Sequence, residues 1–406
     1  MSLDQVETKF AEQLAIIEKQ GTSKRNEQII CAIREASDGY GPRYLLTGQG
    51  SKAFLRMNSN SYLGLSLHPC VIKAETEAAE KFGVGPGAVR FISGTYQAHK
   101  DLEQKLADFH GRESAMIFSS AYAAMLGVLP QFITTETLVV SDALNHNCII
   151  NAIRLAKPAK KVVYSHLDFL ELEKILQANS GLFKRVCVVS DGVFSMRGDF
   201  AALDKISAIC KKFEPGYEQG IITLADDSHG VGSYGKTGRG TEEISQTKVD
   251  VLVATLGKSF AVNGGYVVSS AKVIDYLKET TPLYIFSNPI TAAEAAAALR
   301  AIEIVDSHEG IEKLEKLQRL SKRLRDGLNN NGFETLEGKH PIVPILIRDT
   351  RKTSALVKHL FTNAILATGL NYPVVPKGEE EIRLQVSANH TEKDIDYVLQ
   401  VLSVFS

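Results

Sequence analysis

From Ala115 onward one rhythm constrains what this chain can fold into. Short apolar runs at Ala115 to Phe118, Leu138 to Val140, Lys161 to Tyr164, Val186 to Val189, Ile221 to Ala225 and Val251 to Ala254 alternate with helical segments or polar turns. Runs this short, bounded by Ser, Asp and Gly, read as strands buried on both faces. Their alternation with helices calls for a largely parallel α/β sheet. The 406 residues exceed an average domain of about 150, so a second unit is expected.

The flanks differ in texture. Between Ser2 and about Gln20, Val6, Phe10, Leu14 and Ile17 recur at helical spacing, which predicts an amphipathic helix docked on the body or on a partner subunit. After Pro289 a long Ala- and Leu-rich helical region runs to Asn331, broken near Ser307 to Gly310. A small α+β unit should follow: strand Ile342 to Ile347, helix Thr353 to about Ala367, strand Glu381 to Val386, helix Glu392 to Phe405. The expected division is an N-terminal helical arm over 1–55, a large domain over 56–290, and linking helices with a small C-terminal domain over 291–406.

Charge narrows the partners. The 46 Lys and Arg against 47 Asp and Glu leave a net charge of −1, too balanced for a nucleic-acid surface. The five cysteines include no C-x-x-C pair and are odd in number, so neither a zinc ribbon nor a complete disulfide framework is favoured. Cys187 and Cys210, among apolar neighbours, read as core residues. A reducing cytoplasm fits. Asp4, Glu7, Lys9 and Glu12 interrupt the stretch a signal peptide would need, and no run of about 18 apolar residues exists to span a membrane.

Several chemistries fail for want of residues. Gly83-Val84-Gly85-Pro86-Gly87 follows a helical segment rather than a strand and is interrupted by Pro86, which argues against the dinucleotide turn. No P-loop, G-x-S-x-G elbow or H-E-x-x-H metal motif occurs. In parallel sheets ligands gather at the carboxyl ends of strands. There the chain offers Ser119-Ser120, Ser141-Asp142 leading to His146, Ser190-Asp191 leading to Ser195, Asp226-Asp227-Ser228-His229, and Thr255-Leu256-Gly257-Lys258.

Lys258 in a small-residue turn, with Asp226 ending another buried strand, suggests a desolvated amine of lowered pKa. Such an amine is suited to a Schiff base with a carbonyl, above all the aldehyde of pyridoxal phosphate. That cofactor also needs a carboxylate at its pyridine nitrogen, a flat group against its ring, donors for its phenolic oxygen and a cup for its phosphate. Asp226 suits the first and His146 the second; Ser195 or His229 could reach the phenolic oxygen, and the helix opened by Ser120-Ala121-Tyr122 presents free amides. Each residue alone has a plainer structural explanation. Together they would require four strand ends to be polar independently.

These residues resemble the α-oxoamine synthases, fold-type-I pyridoxal phosphate enzymes that condense a small amino acid with an acyl-CoA. The likeness spans about residues 40 to 400. It includes NSYLGL (Asn60 to Leu65), VRFISGT (Val89 to Thr95) with His99, SDALNH (Ser141 to His146), DGVFSMRGD (Asp191 to Asp199), DDSH with TLGK, YIFSNP (Tyr284 to Pro289) and YPVVPKG (Tyr372 to Gly378). Within the family the segments are most similar to the glycine C-acetyltransferases.

The resemblance implies Lys258 as the Schiff-base lysine, Asp226 as pyridinium partner and His146 as the stacking ring. It implies Ser195 and His229 near the phenolic oxygen, and Ser120, Ala121, Tyr122 and Thr255 around the phosphate. Ser287 and Asn288 would complete the phosphate site of a neighbouring subunit, making a homodimer with shared sites. Arg383, assisted by Asn60, would bind the amino-acid carboxylate. The implied reaction joins glycine to acetyl-CoA. A longer acyl-CoA or another amino acid, as in 8-amino-7-oxononanoate synthase or serine palmitoyltransferase, is the alternative; a non-catalytic partner subunit is the alternative of another class.

Overall fold

The computed structural model describes residues 2–20, 23, 25, 27–372 and 375–405. In chain order the strands are β1 (Ile30–Arg34), β2 (Arg43–Leu46), β3 (Ala53–Arg56), β4 (Ser114–Phe118), β5 (Thr137–Asp142), β6 (Lys160–Tyr164) and β7 (Arg185–Asp191). They continue with β8 (Ile221–Asp226), β9 (Val251–Thr255), β10 (Gly265–Ser269), β11 (Ile342–Leu346), β12 (Ile365–Leu366), β13 (Thr368–Leu370) and β14 (Glu381–Gln385).

The central sheet has the order β4-β10-β9-β8-β7-β5-β6. All its strands run the same way except β10, which lies antiparallel between β4 and β9. Every apolar run singled out in the sequence is one of these strands. β6 is an edge strand, mostly exposed instead of buried on both faces; in the others the continuous hydrophobicity has a simple cause, alternate residues entering two different cores. Ile117, Val140, Val188 and Leu252 pack on one side, while Met116, Val139, Val189 and Val253 pack on the other. Fully burying each such side chain contributes about 1.5–3 kcal/mol, so the sheet is held from both faces. β10 went unforeseen because Gly264 and Gly265 blunt the start of its apolar run.

Helix Ser2–Lys19 follows the expected arm, with its apolar row exposed. Beyond that helix, the described residues of the 1–55 segment include strands. β1 and β2 form an antiparallel pair, β2 joins β3, and β12 adds to β3 in parallel. Helices Ala292–Val305 and His308–Asn330 break where expected, and β11, β14 and β13 form a three-stranded antiparallel sheet. The helix expected to reach Ala367 stops at Thr362, because Ala364 adopts φ 55° and turns the chain into β12.

The last unit is tied to the segment after β3. Gln385 N–H donates to the Met57 carbonyl (2.8 Å) and Ala388 N–H to the Tyr62 carbonyl (2.7 Å). Gly64 permits the approach, since at φ 67° a Cβ would sit 2.1 Å from the Asn389 side chain. Arg383 on β14 is thereby brought toward the ends of the central strands.

Candidate active site

At the carboxyl ends of β5, β7, β8 and β9 the chain encloses a cavity of about 290 Å³. Ser120, Ala121, Tyr122, His146, Ser195, Asp226, His229, Thr255 and Lys258 line it, as do Cys148, Asp191, Val193 and Ser228. Parallel register alone sets Asp191 opposite Asp226, so two buried carboxylates meet at one edge.

Each wall has a local cause. Ser120 caps helix Ala121–Val128, its Oγ accepting from Ala123 N (3.0 Å), and the amides of Ala121 and Tyr122 have no intrahelical acceptor. Gly265 lies so close behind that a Cβ there would fall 2.2 Å from Ala121 N. His146 caps helix Asn147–Ala156: its Nδ1 accepts from Cys148 N (3.3 Å) while its backbone N–H donates to Asp191 Oδ2 (2.9 Å). An imidazole accepting at Nδ1 carries its neutral-form proton on Nε2.

Lys258 follows β9 in a turn closed by Leu256 N to Gly264 O (3.0 Å) and Ala261 N to Lys258 O (3.2 Å). Thr255 serves that turn, donating to Gly264 O (3.1 Å) and accepting from Gly257 N (3.0 Å), so its hydroxyl proton is committed although the residue lines the cavity. Burial lowers the Lys258 ammonium to about 8, against the opposing pull of Asp226 and Asp191. Burial also holds His146 and His229 below their ordinary values. Asp191 is pushed well up by burial and then by the charge of Asp226.

A second group adjoins. Arg383 donates through Nη1 to the Ser195 carbonyl (2.8 Å). Turning the Gln385 amide lets its oxygen accept from Arg383 Nη2 (3.0 Å) beside Asn60. Tyr62 Oη lies 3.4 Å from Asn60 Oδ1 and 2.7 Å from His229 Nδ1. Asn60 and Arg383 thus border the cavity through Ser195 and His229 without lining it. Ser287 and Asn288 do not line it either; they follow helix Pro282–Ile285, with Asn288 exposed. Pro373 and Val374 of the YPVVPKG segment lie outside the described residues.

Sequence reasoning gave no role to Asp191, Cys148, Ser228 or Tyr62. Asp191 and Ser228 stood among the strand-end residues, and Tyr62 within NSYLGL. Cys148 carried one overlooked signal: it sits two positions after a helix-capping His146, facing back over the same turn.

Similarity to known proteins shows the family. The family model for aminotransferase class I and II matches residues 52–402. The chain is 36% identical over 388 residues to 8-amino-7-oxononanoate synthase of Thermosipho melanesiensis, covering 95% of this chain and 96% of that protein. It is 37% identical over 359 residues to the mitochondrial 2-amino-3-ketobutyrate coenzyme A ligase of Homo sapiens, covering 88% and 83%. The chain belongs to the aminotransferase class I and II family, as an α-oxoamine synthase.

Solved structures extend the likeness to the fold of this α-oxoamine synthase. A serine palmitoyltransferase of Sphingomonas wittichii superposes with a TM-score of 0.87 at 27% identity, covering 99% of this chain and 97% of that one. A high-resolution structure of SPT with PLP gives 0.86 at 28%, again covering 99% and 97%. The fold is fold type I and the cofactor is pyridoxal phosphate. The residues present suit that group. The cavity joins a desolvated amine, a buried carboxylate and a helix start with free amides, and Ser228 Oγ is buried there without a partner among the described residues. Among the described residues no helix is long and apolar enough to cross a membrane.

Proposed function

We propose that this α-oxoamine synthase condenses glycine with a short acyl-CoA, acetyl-CoA in the first reading, to a 2-amino-3-oxo acid and free CoA. A bond forms between the glycine α-carbon and the acyl carbonyl carbon while the thioester C–S bond breaks. The single observation that carries this reading is Lys258, an amine with pKa near 8 in one cavity with Asp226, bordered by the guanidinium of Arg383.

Bound there, pyridoxal phosphate supplies an electron sink next to the substrate α-carbon. Lys258 would hold the cofactor and take the α-proton, which the acyl group replaces on the α-carbon and which leaves on the CoA thiol. Asp226 keeps the pyridine nitrogen protonated, His146 covers the ring, and Ser195 and His229 flank the phenolic oxygen. Ser120 and the Ala121 and Tyr122 amides receive the phosphate, with Thr255 as part of the wall. Arg383 grips the substrate carboxylate and Asn60 orients it.

In this reading Ser287 and Asn288 complete the phosphate site of a second copy. The homodimer draws support from the exposed apolar row of helix Ser2–Lys19 and from exposed Phe91, Ile92 and Phe286.

A longer acyl donor is the second reading, and one feature favours it. A further cavity of about 370 Å³ shares Ser195 with the first; Leu144, Phe194, Met196 and Val375 give it an apolar wall, while Arg197, Glu334, Arg348, Glu379 and Glu381 make the rest of its lining charged. The relatives' names likewise divide between a ketobutyrate and an oxononanoate product.

The deciding experiment incubates the protein with glycine, alanine or serine and acyl-CoAs of increasing length, and follows thiol release. Glycine-dependent release with acetyl-CoA is the expected result. Preference for a long chain would establish the second reading. Amine transfer to a keto acid without thiol release, or protein lacking cofactor absorbance, would overturn both.

A further inference from the structure

Asp226 has two carboxylate oxygens and, among the described residues, two hydrogen-bond donors. Oδ1 accepts from Ser228 N (3.1 Å), and Oδ2 lies 3.5 Å from Cys148 Sγ, within reach of a thiol donor. The same sulfur is 3.0 Å from His146 Nδ1. Cys148 is buried at the second position of helix Asn147–Ala156, so it touches both the carboxylate and the imidazole of the cavity.

A thiol has one proton to place between these neighbours. His146 Nδ1 already accepts the Cys148 amide, and its acceptor lone pair lies in the ring plane and is shared. Asp226 Oδ2 receives no other donor among the described residues, and a carboxylate is the stronger acceptor. Burial, reinforced by the charges of Asp226 and Asp191, pushes the thiol well above its ordinary range, so it stays protonated and available to donate. Without it, the Ser228 amide would be the one protein donor left to orient the carboxylate among the described residues.

We propose that Cys148 is a positioning residue, whose thiol donates to Asp226 Oδ2 and, with the Ser228 amide, fixes the carboxylate in the orientation that meets the pyridine nitrogen. The inference rests on the reading of Asp226 as the pyridine partner. Its effect should appear in the cofactor's electronic state as well as in turnover, because an Asp226 carboxylate free to rotate meets the ring nitrogen less often and stabilises its protonated form less.

The test compares Cys148→Ser, Cys148→Val and Cys148→Ala by cofactor titration and by the pH midpoint of the bound cofactor's visible absorbance. Serine keeps a donor; valine fills the space without one. Expected is a midpoint near wild type for Ser, with Val and Ala displaced by about half a pH unit or more and cofactor affinity reduced about fivefold. If Val behaves like Ser, or all three match wild type, Cys148 only fills space and the proposal falls. Should Ala fail to fold, Ser against Val decides alone. Asp226→Asn separates the two claims: if it leaves midpoint and affinity unchanged, the pyridine-partner reading has failed; if it shifts both and abolishes the Ser-versus-Val difference, the coupling through Asp226 stands.

Discussion

Asp191 and Asp226 occupy paired register positions at the ends of β7 and β8, both buried, and both bear on the amine of Lys258. Burial, and then the charge of Asp226, push Asp191 well up, while its carboxylate also receives the His146 amide. The arrangement supplies negative charge to Lys258 without fully compensating its desolvation.

That balance predicts the reactivity of Lys258 in cofactor-free protein. With a pKa of about 8 instead of 10.5, about a tenth of the amine is free base at neutral pH. Its rate of labelling by an amine-reactive reagent should rise through pH 8, more than two units below exposed lysines, as read by peptide mass analysis. A midpoint near 10.5 would remove the basis for a nucleophilic Lys258. Lys258→Ala should lose lysine-linked cofactor absorbance and turnover by several orders of magnitude while keeping its fold.

The phosphate wall gives a second prediction. Gly265 stands where a Cβ would sit 2.2 Å from Ala121 N and 2.4 Å from Ala121 Cα. Gly265→Ala must push back the start of helix Ala121–Val128 and its free amides. Cofactor affinity should fall at least tenfold and thermal stability should drop, measured by titration of the apo-protein and by melting. Unchanged affinity would place the phosphate elsewhere.

The strand ends were legible in the sequence because parallel strands must bury both faces and can become polar only where they leave the sheet. Asp226 and Lys258 each followed such a run, so their shared edge could be inferred before any distance was known. Tyr62 and Arg383 could not be placed that way. They reach the site through contacts between distant segments, Gln385 with Met57 and Tyr62 with His229, which no local pattern encodes. The strands in 30–56 were missed for a similar reason. β1 has every residue exposed and so lacks the alternation of a half-buried strand, and the pairing of β12 with β3 spans most of the chain.

His166 makes the protein's stability depend on pH. Burial opposes its charge, but hydrogen bonds to Asp142 (3.0 Å) and Asp199 (3.3 Å) outweigh that and carry its pKa to about 9. A pKa raised above the unfolded value near 6.5 stabilises the fold fully below pH 6.5 and loses that contribution as pH climbs through 9. Melting curves from pH 6 to 10 should show this decline, on the order of 1–3 kcal/mol for hydrogen bonds to charged groups. His166→Ala should flatten the decline and start from the lower level; an unaltered slope would assign the pH dependence to other groups.

Arg383 offers the sharpest separation of substrate binding from cofactor binding. Its Nη1 is fixed by the Ser195 carbonyl at 2.8 Å, and Gln385 orients the fork from the other side, so the guanidinium is held in place before any substrate arrives. A planar fork can pair both oxygens of a carboxylate, whereas an ammonium offers a point charge on a flexible stem. Arg383→Lys should therefore raise the KM for the amino acid about 10- to 100-fold, from the loss of a bidentate charged contact. Cofactor affinity should remain near wild type, and so should the KM for the acyl-CoA. Steady-state kinetics in both substrates, beside cofactor titration, would check this pattern. If the acyl-CoA term moved instead, Arg383 would belong to the thioester's binding surface and the carboxylate would need another cation.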